Sequence, residues 1–294
     1  MDFFTPTTWS DALAVKAEHP QAQPIAGGTD VMVELNFDRG RPTALLDLTR
    51  ISELTDWSRD DDRDGTGRIR LGAGVTYARV QTELAQLLPG LAAASRTVGS
   101  PQIRNRGTVG GNLGSASPAG DAHPPLLAGG AVVEVASVRG TRQVPIGDFY
   151  LGVKRNALAP DELIAAVTVE VATGPQRYAK VGPRNAMVIA VAAFGLALHP
   201  VRRQVGAAIG SAAPTPRRTP DAESFLAAEL DRSGLWDSRG ALPDGVATRF
   251  GELVAAAATP IDDVRGTAAY RRHALSVLAR RTAVWSWQSY RTGS

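Results

Sequence analysis

Apolar positions recur along this chain in two rhythms, and the switches between them outline its elements. Thr8 or Ser10 can cap a first helix carrying Leu13, Val15 and Ala17, which Pro20 stops. Gln23 to Ala26 follows as a short strand running into a glycine loop. Asp30 to Phe37 reads as a helix and Ala44 to Leu48 as a buried strand, so residues 1–55 form a compact α/β unit. Arg59 to Gly67 is a charged, glycine-bearing turn between strands, the second of which, Arg68 to Leu71, alternates with period two. Thr76 caps a helix through Val80, Leu84 and Leu87 that Pro89-Gly90 ends, and Leu91 to Val98 is a further helical piece. Strands are predicted at Val132 to Val138, Arg142 to Val144 and, after a turn over Ile146 to Leu151, at Leu163 to Val171. Gly174-Pro175 marks a domain boundary. Beyond it come strands at Arg177 to Val181, Met187 to Leu198 and Gln204 to Ile209, then a proline-rich turn. Helices at Asp221 to Leu230, Val246 to Ala258 and Ala268 to Tyr290 complete an α+β module, a small sheet backed by helices.

Between the helical piece ending at Val98 and the strand at Val132 lies GTVGGNLGSASPAGDAHPPLLA, residues 107–128, with five glycines before two prolines and an apolar run. Residues lacking a Cβ let the backbone approach a ligand closely and reach positive φ. Successive backbone N–H groups can form an anion-binding concavity. A smaller loop of the same type, Ile25-Ala26-Gly27-Gly28-Thr29-Asp30, lies upstream. Two such loops suit a diphosphate held from two sides. Neither matches G-x-G-x-x-G or the phosphate loop ending in Gly-Lys-Ser/Thr, so spacing alone gives phosphate-binding loops of undefined type. Asp30 and Asp121 are the carboxylates at these loops. Ribose hydroxyls are their natural partners, and loop-closing Asx turns are the alternative.

Composition removes other chemistries. The 294 residues are 44% hydrophobic and 21% charged, an ordinary globular balance with apolar mass for one large or two medium domains. Lys and Arg number 32 against 29 Asp and Glu, and no basic block stands out, which is no nucleic-acid footprint. Arg271-Arg272 and Arg280-Arg281 recur at about helical spacing and read as a solvated or interface-facing helix side. There is no cysteine, hence no disulfide, no thiolate nucleophile and no cysteine-ligated cluster on this chain. The four histidines have no metal-ligand spacing, and no serine sits in a G-x-S-x-G elbow. His123 lies in the glycine stretch, either at a ligand or in a structural role. With so few acids, bases and nucleophiles, any reactivity belongs to a cofactor. The start lacks the pattern of a signal peptide and no window approaches a membrane span, so a cytoplasmic location is expected.

The strings AGGTD at 26–30, GSPQIRNRGTVGGN at 99–112, ASPAGD at 116–121 and APDEL at 159–163 closely resemble the FAD-binding subunit of the xanthine dehydrogenase family of molybdenum hydroxylases, with carbon monoxide dehydrogenase medium subunits as relatives. The run PIDDVRGTAAYRRHALSVLARR at 260–281 is similar to the C-terminal domain of the same subunit. The resemblance implies a two-part FAD domain of the vanillyl-alcohol-oxidase (PCMH) type over residues 1–174, divided near residue 55, and an α+β C-terminal domain over 175–294. It implies that Ile25, Ala26, Gly27, Gly28, Thr29, Asp30 and Val31, with Thr108, Val109, Gly110, Gly111 and Asn112, hold the FAD diphosphate. It implies that Asp121 contacts the cofactor, and that Val98, where some relatives carry an aromatic residue, Ile164 and Lys180 occupy flavin-side positions. The FAD is expected to be non-covalent.

The resemblance further implies a heterotrimer. A molybdopterin large subunit hydroxylates substrate, an iron–sulfur small subunit relays electrons, and the FAD on this chain passes them to NAD or another acceptor. The missing cysteines suit that division. Two alternatives remain: a stand-alone flavin-dependent oxidase of the same fold, and a non-catalytic nucleotide-binding assembly protein. On the last predicted helix, Trp285 and Trp287 with the arginine pairs are candidate anchors for partner chains.

Overall fold

A computed structural model describes residues 1–60 and 67–293. The chain begins with β1 (Asp2–Phe4), α1 (Trp9–Glu18), β2 (Gln23–Ile25), α2 (Val31–Asn36) and β3 (Ala44–Asp47), which build a three-stranded parallel sheet in the order β1-β3-β2. Parallel neighbours need crossover connections, and α1 and α2 supply them. Thr8, not Ser10, caps α1, accepting from the Asp11 N–H. The Lys16 ammonium bonds the carbonyls of Pro20 and Ala22, tying the end of α1 to the chain entering β2.

The chain continues through β4 (Trp57–Asp60), β5 (Arg68–Gly72), α3 (Tyr77–Glu83), α4 (Pro89–Thr97), α5 (Pro101–Arg106), α6 (Val109–Ser115) and α7 (His123–Ala128). It then forms β6 (Val132–Ser137), β7 (Gly140–Pro145), α8 (Ile146–Phe149), β8 (Tyr150–Gly152), β9 (Arg155–Asn156) and β10 (Leu163–Glu170). Five of these strands make an antiparallel sheet in the order β4-β5-β10-β6-β7. Its inner face, with Ile69, Leu71, Val133, Val135 and Val167 buried, carries the core of the N-terminal half. Residues 61–66 of the turn predicted between β4 and β5 lie outside the described residues.

The remainder is β11 (Gln176–Val181), β12 (Ala192–His199), β13 (Gln204–Gly210), β14 (Arg217–Arg218), α9 (Pro220–Arg232), α10 (Leu235–Ser238), α11 (Asp244–Ala256) and α12 (Ala268–Thr292). The four strands pair antiparallel in chain order and the helices cover one face, the α+β arrangement expected. Phe194 on β12 meets Phe250 on α11 edge to face, with ring centroids 6.1 Å apart, at the centre of this second core.

The two halves meet through α7. All six of its residues are buried, as a helix apolar all round requires. It lies against the backbone of β12 and β13: a Cβ on Gly195 would stand 2.7 Å from the Pro124 carbonyl carbon, and one on Gly206 would overlap the Ala128 carbonyl oxygen.

Several expectations are corrected. The glycine stretch is two short helices, α6 and α7, and α5 precedes them where no helix was predicted. Pro89 begins α4, since proline is favoured at a helix's first position. Met187 to Val191 lies outside β12, and β1, β14 and α10 were not foreseen. Arg271 is buried and bonds the carbonyls of Val191 and Ser211 and the Asp263 carboxylate, so it is no surface arginine. Trp287 is buried against Trp236 and Tyr290, leaving Trp285 as the exposed member of the pair.

Candidate functional site

The first glycine loop leaves β2 and enters α2. Gly28 stands at φ +76°, which an L side chain rarely adopts. A Cβ on Gly27 would overlap the Arg106 carbonyl oxygen, so this loop lies directly on the chain leaving α5. Among the described residues no acceptor faces the backbone N–H groups of Gly27, Gly28, Thr29 and Asp30. Four consecutive unengaged donors are what an anionic ligand requires. The Asp30 side chain is exposed and does not cap α2.

The second loop differs from its sequence reading. Thr108 caps α6 through the Gly111 N–H at 2.9 Å, and the Asn112 N–H bonds the Thr108 carbonyl. The N–H groups of Val109 and Gly110 donate to the carbonyls of Val75 and Ala73, so this segment is stitched to the chain following β5. No run of free donors exists at 108–112; the free donors are on the first loop. What the second loop offers is side-chain and surface chemistry. Gly111 is exposed, and the Asn112 Oδ1 is buried without a partner.

Asp121 and Lys180 come together, from opposite halves of the chain. The Lys180 ammonium stands 2.7 Å from Asp121 Oδ2, and both side chains are 9% exposed. Lys180 also donates to the carbonyls of Thr97 and Val188. Tyr178 donates to Asp121 Oδ1 at 2.7 Å, and the Thr97 hydroxyl to Oδ2 at 3.1 Å. Burial raises the Asp121 pKa, and the Lys180 charge, then the hydrogen bonds from Lys180, Tyr178 and Thr97, offset this only in part. With both oxygens engaged, Asp121 is in place a clamp between α4, the α6–α7 turn and β11. Val98 terminates α4 and is partly buried beside this clamp. Ile164 is buried on β10 facing α6, its Cδ1 3.8 Å from where a Gly114 Cβ would stand.

Behind α6, His123 is fully buried, its Nδ1 2.8 Å from the Tyr150 hydroxyl and its Nε2 unpartnered. Burial drives its pKa down to about 3, against the weaker raising pull of the Ser117 carbonyl. The native ring thus stays neutral between pH 6.5 and about 3 while the unfolded ring takes a proton, so stability is lost as pH falls through that window. Wild type is expected to lose about 1.4 kcal/mol per pH unit below 6.5 from this residue. Urea denaturation from pH 7 to 4 should show a shallower acid limb for His123→Asn; coincident slopes would remove the assignment.

Three contributors carried no sequence signal. Thr97 and Tyr178 belong to the clamp, and in the sequence they stand only within a helical piece and a strand. Tyr77 opens α3 and is 2% exposed with an unpartnered hydroxyl. Buried polar atoms ordinarily find partners. Around the two loops Tyr77 Oη and Asn112 Oδ1 are buried without one.

The comparisons agree with this architecture. Residues 1–170 match the family model of the FAD binding domain in molybdopterin dehydrogenase, and residues 177–286 that of the CO dehydrogenase flavoprotein C-terminal domain. The nicotine 6-hydroxylase medium subunit of Paenarthrobacter nicotinovorans is 30% identical over 290 residues, covering 96% of this chain and 95% of the relative. The nicotinate dehydrogenase FAD-subunit of Eubacterium barkeri is 34% identical over 206 residues, 67% of this chain and 68% of the relative. A chain of the quinoline 2-oxidoreductase structure from Pseudomonas putida 86 superposes with a TM-score of 0.86 at 25% identity, covering 99% of this chain and 98% of that one. A chain of the Cu,Mo-CO dehydrogenase structure gives 0.85 at 25% identity, covering 100% and 98%. Match to both domain models, and nearly full-length similarity to a named medium subunit, fix the relationship: the chain belongs to the FAD-binding medium subunits of the molybdenum hydroxylase family, alongside those of xanthine and carbon monoxide dehydrogenases.

Proposed function

We propose that this chain, as domains 1–174 and 175–294, is the electron-transfer subunit of a three-chain molybdenum hydroxylase. Electrons would arrive from an iron–sulfur subunit, substrate oxidation would occur on a molybdopterin subunit, and NAD or another acceptor would receive the electrons from this chain. The observation that carries the reading is a cofactor cradle on a chain of 294 residues with no cysteine. Such a chain holds a flavin but has no thiolate ligands for the clusters that supply it. Bound FAD supplies the redox chemistry, taking up and passing on electrons that no side chain here can carry.

The residues present fit FAD. The free N–H groups of Gly27 to Asp30 are donors for the diphosphate, with Ile25, Ala26 and Val31 fixing the ends of the loop. Asp30 is an exposed acceptor suited to a ribose hydroxyl. Thr108 to Asn112 form the opposing wall, where Asn112 brings an unpaired acceptor. Val98, Ile164 and the Asp121–Lys180 clamp line the flavin end in this reading. The three donors of Lys180 are already engaged, so its contribution there is a fixed positive charge held by the clamp.

The purified chain should be yellow and release one FAD on acid or heat denaturation. With its flavin chemically reduced it should pass electrons to NAD or to a dye, yet show no hydroxylase activity toward purines, aldehydes or other heterocycles. Affinity capture from the native host should recover a small cysteine-rich chain and a large molybdenum-binding one. A native protein that runs alone and oxidises an organic substrate by itself would establish the stand-alone oxidase instead.

A further inference from the structure

Tyr77 is held in place from two directions. Its N–H donates to the Gly107 carbonyl at 3.1 Å and its carbonyl accepts from the Gln81 side chain at 3.1 Å. The neighbouring Thr76 bridges to Thr108, so the start of α3 is registered against the second loop. The ring and the first loop share the space beneath Gly107: Tyr77 Cδ2 lies 3.4 Å, and Thr29 Oγ1 3.6 Å, from where a Gly107 Cβ would stand. The edge of the ring thus packs under Gly107 beside Thr29 of the first loop, and the hydroxyl at its far end is buried inside the fold with no hydrogen-bond partner.

A side chain there for packing alone needs only the ring. An unmade hydrogen bond on a buried hydroxyl is a penalty that phenylalanine avoids. Burial, then the nearby Asp121 and Asp30 carboxylates, hold the phenol well above its usual pKa, so the group is a donor throughout the ordinary pH range. Neither carboxylate takes its proton: the hydroxyl has no partner among the described residues, and Asp121 accepts from Tyr178, Lys180 and Thr97 instead. An acceptor must come from outside the chain.

We propose that the Tyr77 hydroxyl is a ligand of the bound cofactor, donating a hydrogen bond to an oxygen of the diphosphate–ribityl segment of FAD. The inference rests on the FAD-binding reading of the two loops. It adds a side-chain donor from α3 to the backbone donors of the first loop, so that three separate segments, 27–30, 77 and 108–112, close on the same part of the ligand.

The test is Tyr77→Phe in the full-length chain, with FAD removed and titrated back by quenching of flavin fluorescence. The expected result is a dissociation constant about ten- to hundred-fold weaker than wild type. The apo variant should melt no lower than apo wild type, because an unsatisfied buried hydroxyl has been removed, while its rise in melting temperature on adding saturating FAD is smaller. An unchanged dissociation constant overturns the proposal and leaves the hydroxyl to a buried water. A weaker constant with an equally lowered apo melting temperature also overturns it, since a packing defect then accounts for the loss. Failure of wild type itself to take up FAD would overturn the cofactor reading beneath it, which the first titration distinguishes from either outcome.

Discussion

Gly111→Val should give a folded chain that has lost its flavin, with FAD affinity reduced at least about hundred-fold, about 3 kcal/mol. Gly111 is exposed at the start of α6, and an added Cβ would meet only the Thr108 hydroxyl, at 2.9 Å, so the cost inside the protein is confined to a shift of that one capping group, about 1 kcal/mol. The valine side chain therefore leaves the rest of the protein interior alone and projects into the space assigned to the ligand. Gly110→Val acts on the other side of the same helix. There a Cβ would overlap Ala73, backbone included, and the substitution drives α6 off the chain following β5. Its expected product is misfolded. Circular dichroism with bound-flavin absorbance separates the two: a native spectrum without flavin for Gly111→Val, loss of both signals for Gly110→Val. Full flavin occupancy in Gly111→Val would move the ligand away from α6.

Asp121→Ala should destabilise the protein by about 3–5 kcal/mol, because it strands the Lys180 ammonium in a buried site with only carbonyls for partners. The Tyr178 hydroxyl loses its acceptor in the same step. Lys180→Met alone should also be destabilising, and the double variant should recover much of the loss, a coupling that a double-mutant cycle measures. Additive losses would show that the two residues do not act as a pair. FAD affinity should fall in Asp121→Ala as well, as a consequence of the opened junction.

The glycine loops could be found in the sequence because close backbone approach leaves a compositional trace. Which loop carries free donors could not, because the carbonyls that occupy Val109 and Gly110 belong to Val75 and Ala73, in a stretch with no signal of its own. The short helices α5, α6 and α7 were unreadable for a related reason. At six or seven residues, rich in Gly and Pro, they have poor intrinsic propensity and are held by capping and tertiary contacts. The buried strands β5, β6, β10 and β13 were legible from β-branched and alternating runs. On α12 the arginine spacing was visible but its facing was not: Arg271 turns inward to Val191, Ser211 and Asp263, which only the packed fold brings together. Lys180 and Asp121 were each singled out, while their ion pair was not, since sequence gives no distance between residues fifty-nine positions apart.

Helix α7 lies in the sequence of the N-terminal half and seats its backbone in the glycine notches of β12 and β13. The notch and the helix must therefore be inherited together. A hybrid that joins the first 174 residues of this chain to the C-terminal segment of a relative inherits the helix from one parent and the notch from the other. Any side chain the second parent carries in place of Gly195 or Gly206 then becomes a barrier to recombination, although the crossover itself falls in a permissive linker. Natural or laboratory shuffling within this family should succeed most often where the crossover keeps residues 123–210 from a single parent.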